Sequence, residues 1–217
     1  HTRFKCDWSS DVCSSDLKQK RGPVTVSAFW LDRTEVTVEA YAQCVAAGTC
    51  SKPAIVSADC NTGVGGREKH PVNCVNWSQA SAYCQWLGRR LPTDEEWEYA
   101  ARGKDSLTYT WGNDAAKDQP CWSGGTVGKR SSTCEVGTNA KSDSVFLIAD
   151  LAGNVWEWVE SPMDDLDTTP PIERVNRGGA FNTTFEGSIR AAHRHGVDPA
   201  YVSADVGFRC ARDPGAP

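Results

Sequence analysis

Two carboxylates and two backbone carbonyls lie close together in Asp150-x-x-Gly153-x-Val155-x-Glu157. Such hard oxygens suit calcium, which takes six to eight of them. Residues 153, 155 and 157 alternate, so an extended segment would aim their groups to one side. The plainer reading is structural, with Glu157 answering a buried arginine such as Arg209. A weaker metal candidate is His193-x-His195, two imidazoles on one side of an expected strand, with His70 as a third ligand. Two histidines and a carboxylate can hold iron. Arg190, Arg194 and Arg209 surround that pair in sequence, however, and would repel a cation. An exposed, hydrogen-bonded histidine pair is the better expectation. No Ser-His-Asp order, phosphate-cradling glycine loop or glycosidase-like carboxylate pair stands out.

These groups need a frame, and the first 17 residues are not expected to belong to it. His1 to Leu17 reads codon for codon as one frame of a common sequencing adapter, so it is treated as a fusion scar and expected to be disordered. A single domain is expected over 18–217. The net charge of −5 becomes −4 once the scar's two bases and three acids are removed. Mild acidity without a Lys/Arg cluster disfavours nucleic-acid binding. No apolar run is long enough to cross a membrane as a helix. Eight cysteines remain: Cys44, Cys50, Cys60, Cys74, Cys84, Cys121, Cys134 and Cys210. Even in number and without Cys-x-x-Cys spacing, they read as disulfides formed in an oxidising compartment, not as a zinc site. The domain is therefore expected to be secreted, periplasmic or at the cell surface.

Val24 to Leu31 alternates and is rich in β-branched and aromatic residues, which predicts a strand. Thr37 caps an expected helix over 38–47, stopped by Gly48. A second helix is expected after Ser78, ending at Gly88. Thr93 with Glu96 forms a capping box for a third, through Ala101. Loops rich in polar residues fill 49–72, 112–145 and 161–172. Further strands are expected at 174–177, about 188–194 and 206–211. Short helices on small irregular antiparallel sheets make an α+β domain. The tryptophans are expected to be core anchors, not a ligand platform.

Four blocks carry a family resemblance: Gly88-Arg-Arg-Leu-Pro-Thr-Asp-Glu-Glu-Trp-Glu-Tyr99, Asp150-Leu-Ala-Gly-Asn-Val-Trp-Glu-Trp158, Arg177-Gly-Gly179 and Gly207-Phe-Arg-Cys210. In this order and at these separations the chain resembles the formylglycine-generating enzyme (sulfatase-modifying factor) family from about Val24 to Arg212. The resemblance implies the family's variant of the C-type lectin-like fold, and an opening strand that this N-terminally truncated sequence lacks. It implies calcium at Asp150, Gly153, Val155 and Glu157, usually with Asn in place of Asp150. The family's second calcium site finds no match around 120–122 or in 126–137. The resemblance also suggests a Cys84–Cys210 bridge. Cys121–Cys134 would staple a loop, and Cys44–Cys50 with Cys60–Cys74 is favoured over Cys44–Cys74 with Cys50–Cys60.

Family enzymes follow Arg-Gly-Gly with two cysteines about five residues apart, thiolates that hold Cu(I), a metal that soft sulfur selects. Here Thr183 stands at the first position and the second falls near Phe185 to Gly187. Copper is therefore not expected, and the arginines around His193 and His195 make iron unexpected as well. The function expected is a calcium-stabilised extracytoplasmic binding or accessory module for a protein, peptide or glycan ligand. Metal-dependent oxidation, either formylglycine generation on sulfatases or iron-dependent thiol oxidation, is the alternative.

Overall fold

The computed structural model describes residues 2–8, 24–163 and 173–215, the first of these as backbone only. Strand β1 (Thr2–Trp8) pairs antiparallel with β2 (Val24–Leu31), which pairs on its other side with β7 (Ala211–Arg212). A second sheet runs β5 (His195–Val197), β4 (Arg174–Arg177), β3 (Trp156–Pro162), β6 (Val206–Phe208). Its β3–β6 pair is parallel, a departure from the antiparallel expectation. Disorder over 1–17 is likewise corrected for Thr2–Trp8. The β2 edge offers unpaired backbone groups to any extended segment, and that pairing needs no particular side chains. Residues 9–17 lie outside the described part.

Three short helices pack beside these sheets: α1 (Val38–Ala46), α2 (Trp77–Trp86) and α3 (Asp94–Arg102). Thr37 caps α1 through Ala40 N–H, and Thr93 with Glu96 closes the capping box of α3. Helix α2 begins earlier than Ser78 because Asn76 and Gln79 form their own reciprocal box. That box satisfies two amide donors that a start at Ser78 would leave open.

Two apolar cores result. One gathers Phe29, Leu31, Trp97, Ile148, Leu151 and Val159, and the other Tyr41, Tyr83, Trp158, Val206 and Phe208. Of the tryptophans with described side chains, Trp97 and Trp158 are fully buried and none is exposed. They anchor the interior, as large aromatics do in loop-rich domains.

The cysteines pair as Cys44–Cys50, Cys60–Cys74, Cys84–Cys210 and Cys121–Cys134, so the rival pairing does not form. Cys84–Cys210 closes 126 residues and ties α2 to the end of the chain. Four bridges in one domain are what maturation in an oxidising compartment produces. Among the described residues no helix is long and apolar enough to cross a membrane.

Candidate functional site

The segment from Asp150 to Val155 is coiled, not extended. Asp150, Gly153 and Asn154 take φ of 60°, 81° and 60°, so the expected alternation before Trp156 does not hold. Neighbouring backbone imposes the coil. Gly153 N–H donates to the Gly178 carbonyl and Asn154 N–H to the Cys121 carbonyl, each at 2.8 Å. A Cβ at Gly153 would collide with that same Cys121 carbonyl. The Asn154 Oδ1 accepts from Cys134 N–H at 2.9 Å. The Cys121–Cys134 loop and the Arg-Gly-Gly turn therefore hold the Asp150 loop between them.

Glu157, on β3, does meet Arg209. Its Oε1 accepts from Arg209 Nη2 at 2.7 Å, and its Oε2 accepts from Arg209 Nε and Trp97 Nε1, both at 2.8 Å. Arg209 also donates to the carbonyls of Asp32, Arg33 and Ala149. Burial works against the guanidinium charge, but Glu157 outweighs it and raises the Arg209 pKa. Asp150 Oδ2 accepts from Gly137 N–H. Burial raises the Asp150 carboxyl above its ordinary range, with the Gly137 hydrogen bond pulling the other way.

Sequence reasoning missed a third carboxylate. Glu35 lies in the β2–α1 connector, pinned by Val36 N–H to Phe208 O and by Val72 N–H to Val36 O. It is only 2% exposed, no N–H donor reaches either carboxylate oxygen, and its carboxyl lies against that of Asp150. Burial first, and the adjacent Asp150 second, push its pKa well above the usual carboxylate value. Glu35, Asp150 and Glu157 thus share one buried guanidinium. The surplus negative charge must be met by protons or by a cation, because isolated buried ions are costly.

The donor chemistry fits calcium: carboxylates and carbonyls, with no sulfur or imidazole. Glu157 has three hydrogen bonds on roughly four lone-pair positions, leaving about one for a metal. As the side chains stand, no three His, Cys, Asp or Glu residues form a metal cluster among the described residues. A cation here would therefore lean on the Gly153 and Val155 carbonyls as well.

The segment after the Arg-Gly-Gly turn is organised by Arg177, which is buried against Asp94 and Glu98. Its Nη1 also donates to the carbonyls of Ala191 and His193, at 3.2 and 3.1 Å. Those carbonyls serve a side chain and not a sheet. The strand expected over 188–194 is accordingly a 3-10 turn at Glu186–Ile189 followed by irregular chain, and strand begins only at His195. The strand expected over 206–211 divides between two sheets for a related reason, since Arg209 turns inward to Glu157 between β6 and β7.

Thr183 is a turn residue. Its Oγ1 accepts from Ala180 N–H at 3.1 Å, and its carbonyl accepts from Ser123 N–H at 3.0 Å. All eight cysteines with described side chains are bridged. Over the stretch where a second thiolate is expected lies a cleft of about 260 Å³, lined by Tyr109, Phe185, Glu186, Gly187, Arg190 and His193. Glu186 Oε1 accepts from Tyr109 O–H and Ala116 N–H, both at 2.7 Å, and Trp111 stacks on Tyr109 at 4.8 Å. His193 and His195 both lean on Trp156, with ring centroids 5.7 and 5.3 Å away. His70 is elsewhere engaged, its Nδ1 lying 2.8 Å from Thr133 Oγ1.

A family model described as the sulfatase-modifying factor enzyme 1-like domain matches residues 8–214. An inactive C-alpha-formylglycine-generating enzyme 2 from Bos taurus is 40% identical over 171 residues, 71% of this chain and 55% of that protein. A formylglycine-generating enzyme from Thermomonospora curvata is 36% identical over 173 residues, covering 68% of this chain and 57% of that one. The chain thus spans little more than half the length of these relatives. Among solved structures, Treponema denticola variable protein 1 superposes with a TM-score of 0.74 at 22% identity, covering 98% of this chain and 94% of the other. The fold is the formylglycine-generating-enzyme variant of the C-type lectin-like fold.

Proposed function

The chain belongs to the sulfatase-modifying factor family, and we propose that it is a member without formylglycine-generating activity. In this reading it serves as a calcium-stabilised binding or accessory module in a secreted, periplasmic or cell-surface setting. One observation carries the reading: Thr183 occupies the first thiolate position while Cys44, Cys50, Cys60, Cys74, Cys84, Cys121, Cys134 and Cys210 are consumed in bridges. A hydroxyl committed to its own turn cannot replace a sulfur that selects Cu(I). Similarity to a relative described as inactive supports the same view.

The cleft beside Phe185 and the loops 49–72, 112–145 and 161–172 then form a ligand surface on a rigid frame. Residues 164–172 lie outside the described part. The ligand would be a protein, a peptide or a glycan. Calcium at Asp150, Gly153, Val155 and Glu157 would brace that frame, since this loop contacts both the Cys121 backbone and the Arg-Gly-Gly turn. Metal analysis of purified protein, with thermal unfolding in calcium and in EGTA, tests the proposal. Bound calcium and a melting temperature that falls in EGTA support it. Stoichiometric copper or iron would instead favour redox chemistry.

A further inference from the structure

We propose that the cleft beside Phe185 binds one neutral pyranose ring of a glycan, an inference that rests on the binding-module reading and selects among the ligands open to it. The cleft measures about 260 Å³. That is below the usual range for a drug-sized ligand, about 300–1,000 Å³, and suits a single small ring. Phe185, in its wall, is 72% exposed, yet its ring is seated against the bare Cα of Gly187, where a Cβ would collide with it. An aromatic ring held open to solvent offers a flat, weakly negative face. A pyranose matches it, with C–H bonds, positive at hydrogen, on one face and hydroxyls around the rim.

The polar lining is balanced in charge. Glu186 Oε1 accepts from Tyr109 O–H and Ala116 N–H, while among the described residues Oε2 has no hydrogen-bond partner. The two bonds hold the carboxyl below its ordinary pKa, so Oε2 is an anionic acceptor on a fixed arm. Arg190 meets the same Tyr109 hydroxyl and lies close enough to Glu186 to favour its charge. The two charges cancel, so the cleft selects neither a cation nor an anion. A hydroxyl, both donor and acceptor, suits such a pair. A peptide fits less well. Strand addition needs unpaired backbone groups, and here they are bonded internally: Ser188 N–H to Phe185 O, Arg190 N–H to Gly187 O, His193 N–H to Arg190 O and Ala191 N–H to Thr108 O. A charged side-chain anchor would meet its like charge beside its partner.

The test is saturation-transfer NMR titration of the full chain with the methyl glycosides of β-glucose, β-galactose, α-mannose and N-acetyl-β-glucosamine as probes. At least one should bind, with its ring C–H protons receiving the strongest saturation. Phe185→Ala and Glu186→Gln should each weaken that affinity by about tenfold or more. Both should keep the wild-type melting temperature, since Phe185 is exposed and the glutamine oxygen still accepts from Tyr109. Gly187 has no left-handed φ, so Gly187→Ala fits the backbone, displaces the Phe185 ring and should weaken binding with every polar group in place. Unchanged affinity in folded Phe185→Ala or Glu186→Gln overturns the site. A wild type that binds none of the glycosides, or binds only a lysine- or aspartate-containing peptide, overturns the saccharide and leaves a binding role standing. That wider reading fails separately, if the same sample converts a cysteinyl peptide to its aldehyde with copper.

Discussion

Replacing Arg209 with Met would test how the buried acidic cluster is held. Arg209 is fully buried, and its guanidinium serves both Glu157 oxygens and the carbonyls of Asp32, Arg33 and Ala149. Removing one partner of a buried ion pair costs about 3–5 kcal/mol, because the other charge is stranded. Here the stranded charge has Glu35 and Asp150 for company, which places the cost at the upper end. Three carbonyls also lose donors, each worth about 1 kcal/mol, though the terms will not simply add. The sum approaches the low end of a domain's total stability, about 5–15 kcal/mol. Glu157→Gln in the same background removes the stranded charge and keeps an acceptor for Trp97 Nε1. The double variant should recover about 2–4 kcal/mol of the loss, the charge part of the penalty. Urea unfolding followed by tryptophan fluorescence, in EGTA with disulfides intact, measures both. A loss below about 1 kcal/mol for Arg209→Met, or a double variant weaker than the single, would refute this picture of the cluster.

Three further outcomes are expected. Leu147 holds φ of 62° while 68% exposed; Leu147→Gly should relieve about 1–2 kcal/mol of left-handed strain, less about 0.5–1 for glycine's entropy, and raise the melting temperature by a degree or two. A fall in melting temperature would mean that the leucine side chain contributes more than its strain. Removing Cys84–Cys210, which closes 126 residues, should cost more than removing Cys44–Cys50, which closes 6; the chain-entropy model gives about 5 against about 2 kcal/mol. Equal losses in paired Cys→Ala variants would contradict the cross-linking role. The Tyr109 hydrogen bond, helped by Ala116 N–H, holds the Glu186 carboxyl below its ordinary pKa. That contribution is present above the unfolded carboxylate value near 4.3 and is lost as pH falls through the folded one. Trp111 fluorescence should therefore change on acidification in wild type and not in Glu186→Gln, and an identical response in both would remove Glu186 from the explanation.

Where local chemistry decides conformation, the sequence was enough. Thr37 and the Thr93/Glu96 pair satisfy helix amides within a few residues of themselves, so α1 and α3 could be read directly. Asn76 carries the same signal but competes with Ser78 for the cap, and reciprocity with Gln79 decides it. The chain after Arg177 was misread because its carbonyls are claimed by a guanidinium brought from another strand, which periodicity does not register. The oxygens of the Asp150 loop were visible as residue types. Their presentation was not, since three left-handed residues coil a segment whose alternation suggested a strand. Glu35 was missed because it precedes the Thr37 cap in a short connector, where a charged residue is ordinarily solvated. A lone acid between β-branched neighbours, two positions before a cap, was the available signal. Only the packing of Asp150 and Arg209 against it gives that signal meaning.

The most direct test is to incubate the purified full chain with Cu(I), oxygen and a cysteine-containing sulfatase-type peptide, and to follow aldehyde formation by mass spectrometry. The Thermomonospora curvata enzyme serves as the positive control. With Thr183 in its own turn and the domain's cysteines bridged, the peptide's cysteine should survive intact while the control converts it. Copper-dependent aldehyde formation by this chain would contradict the assignment of a binding role.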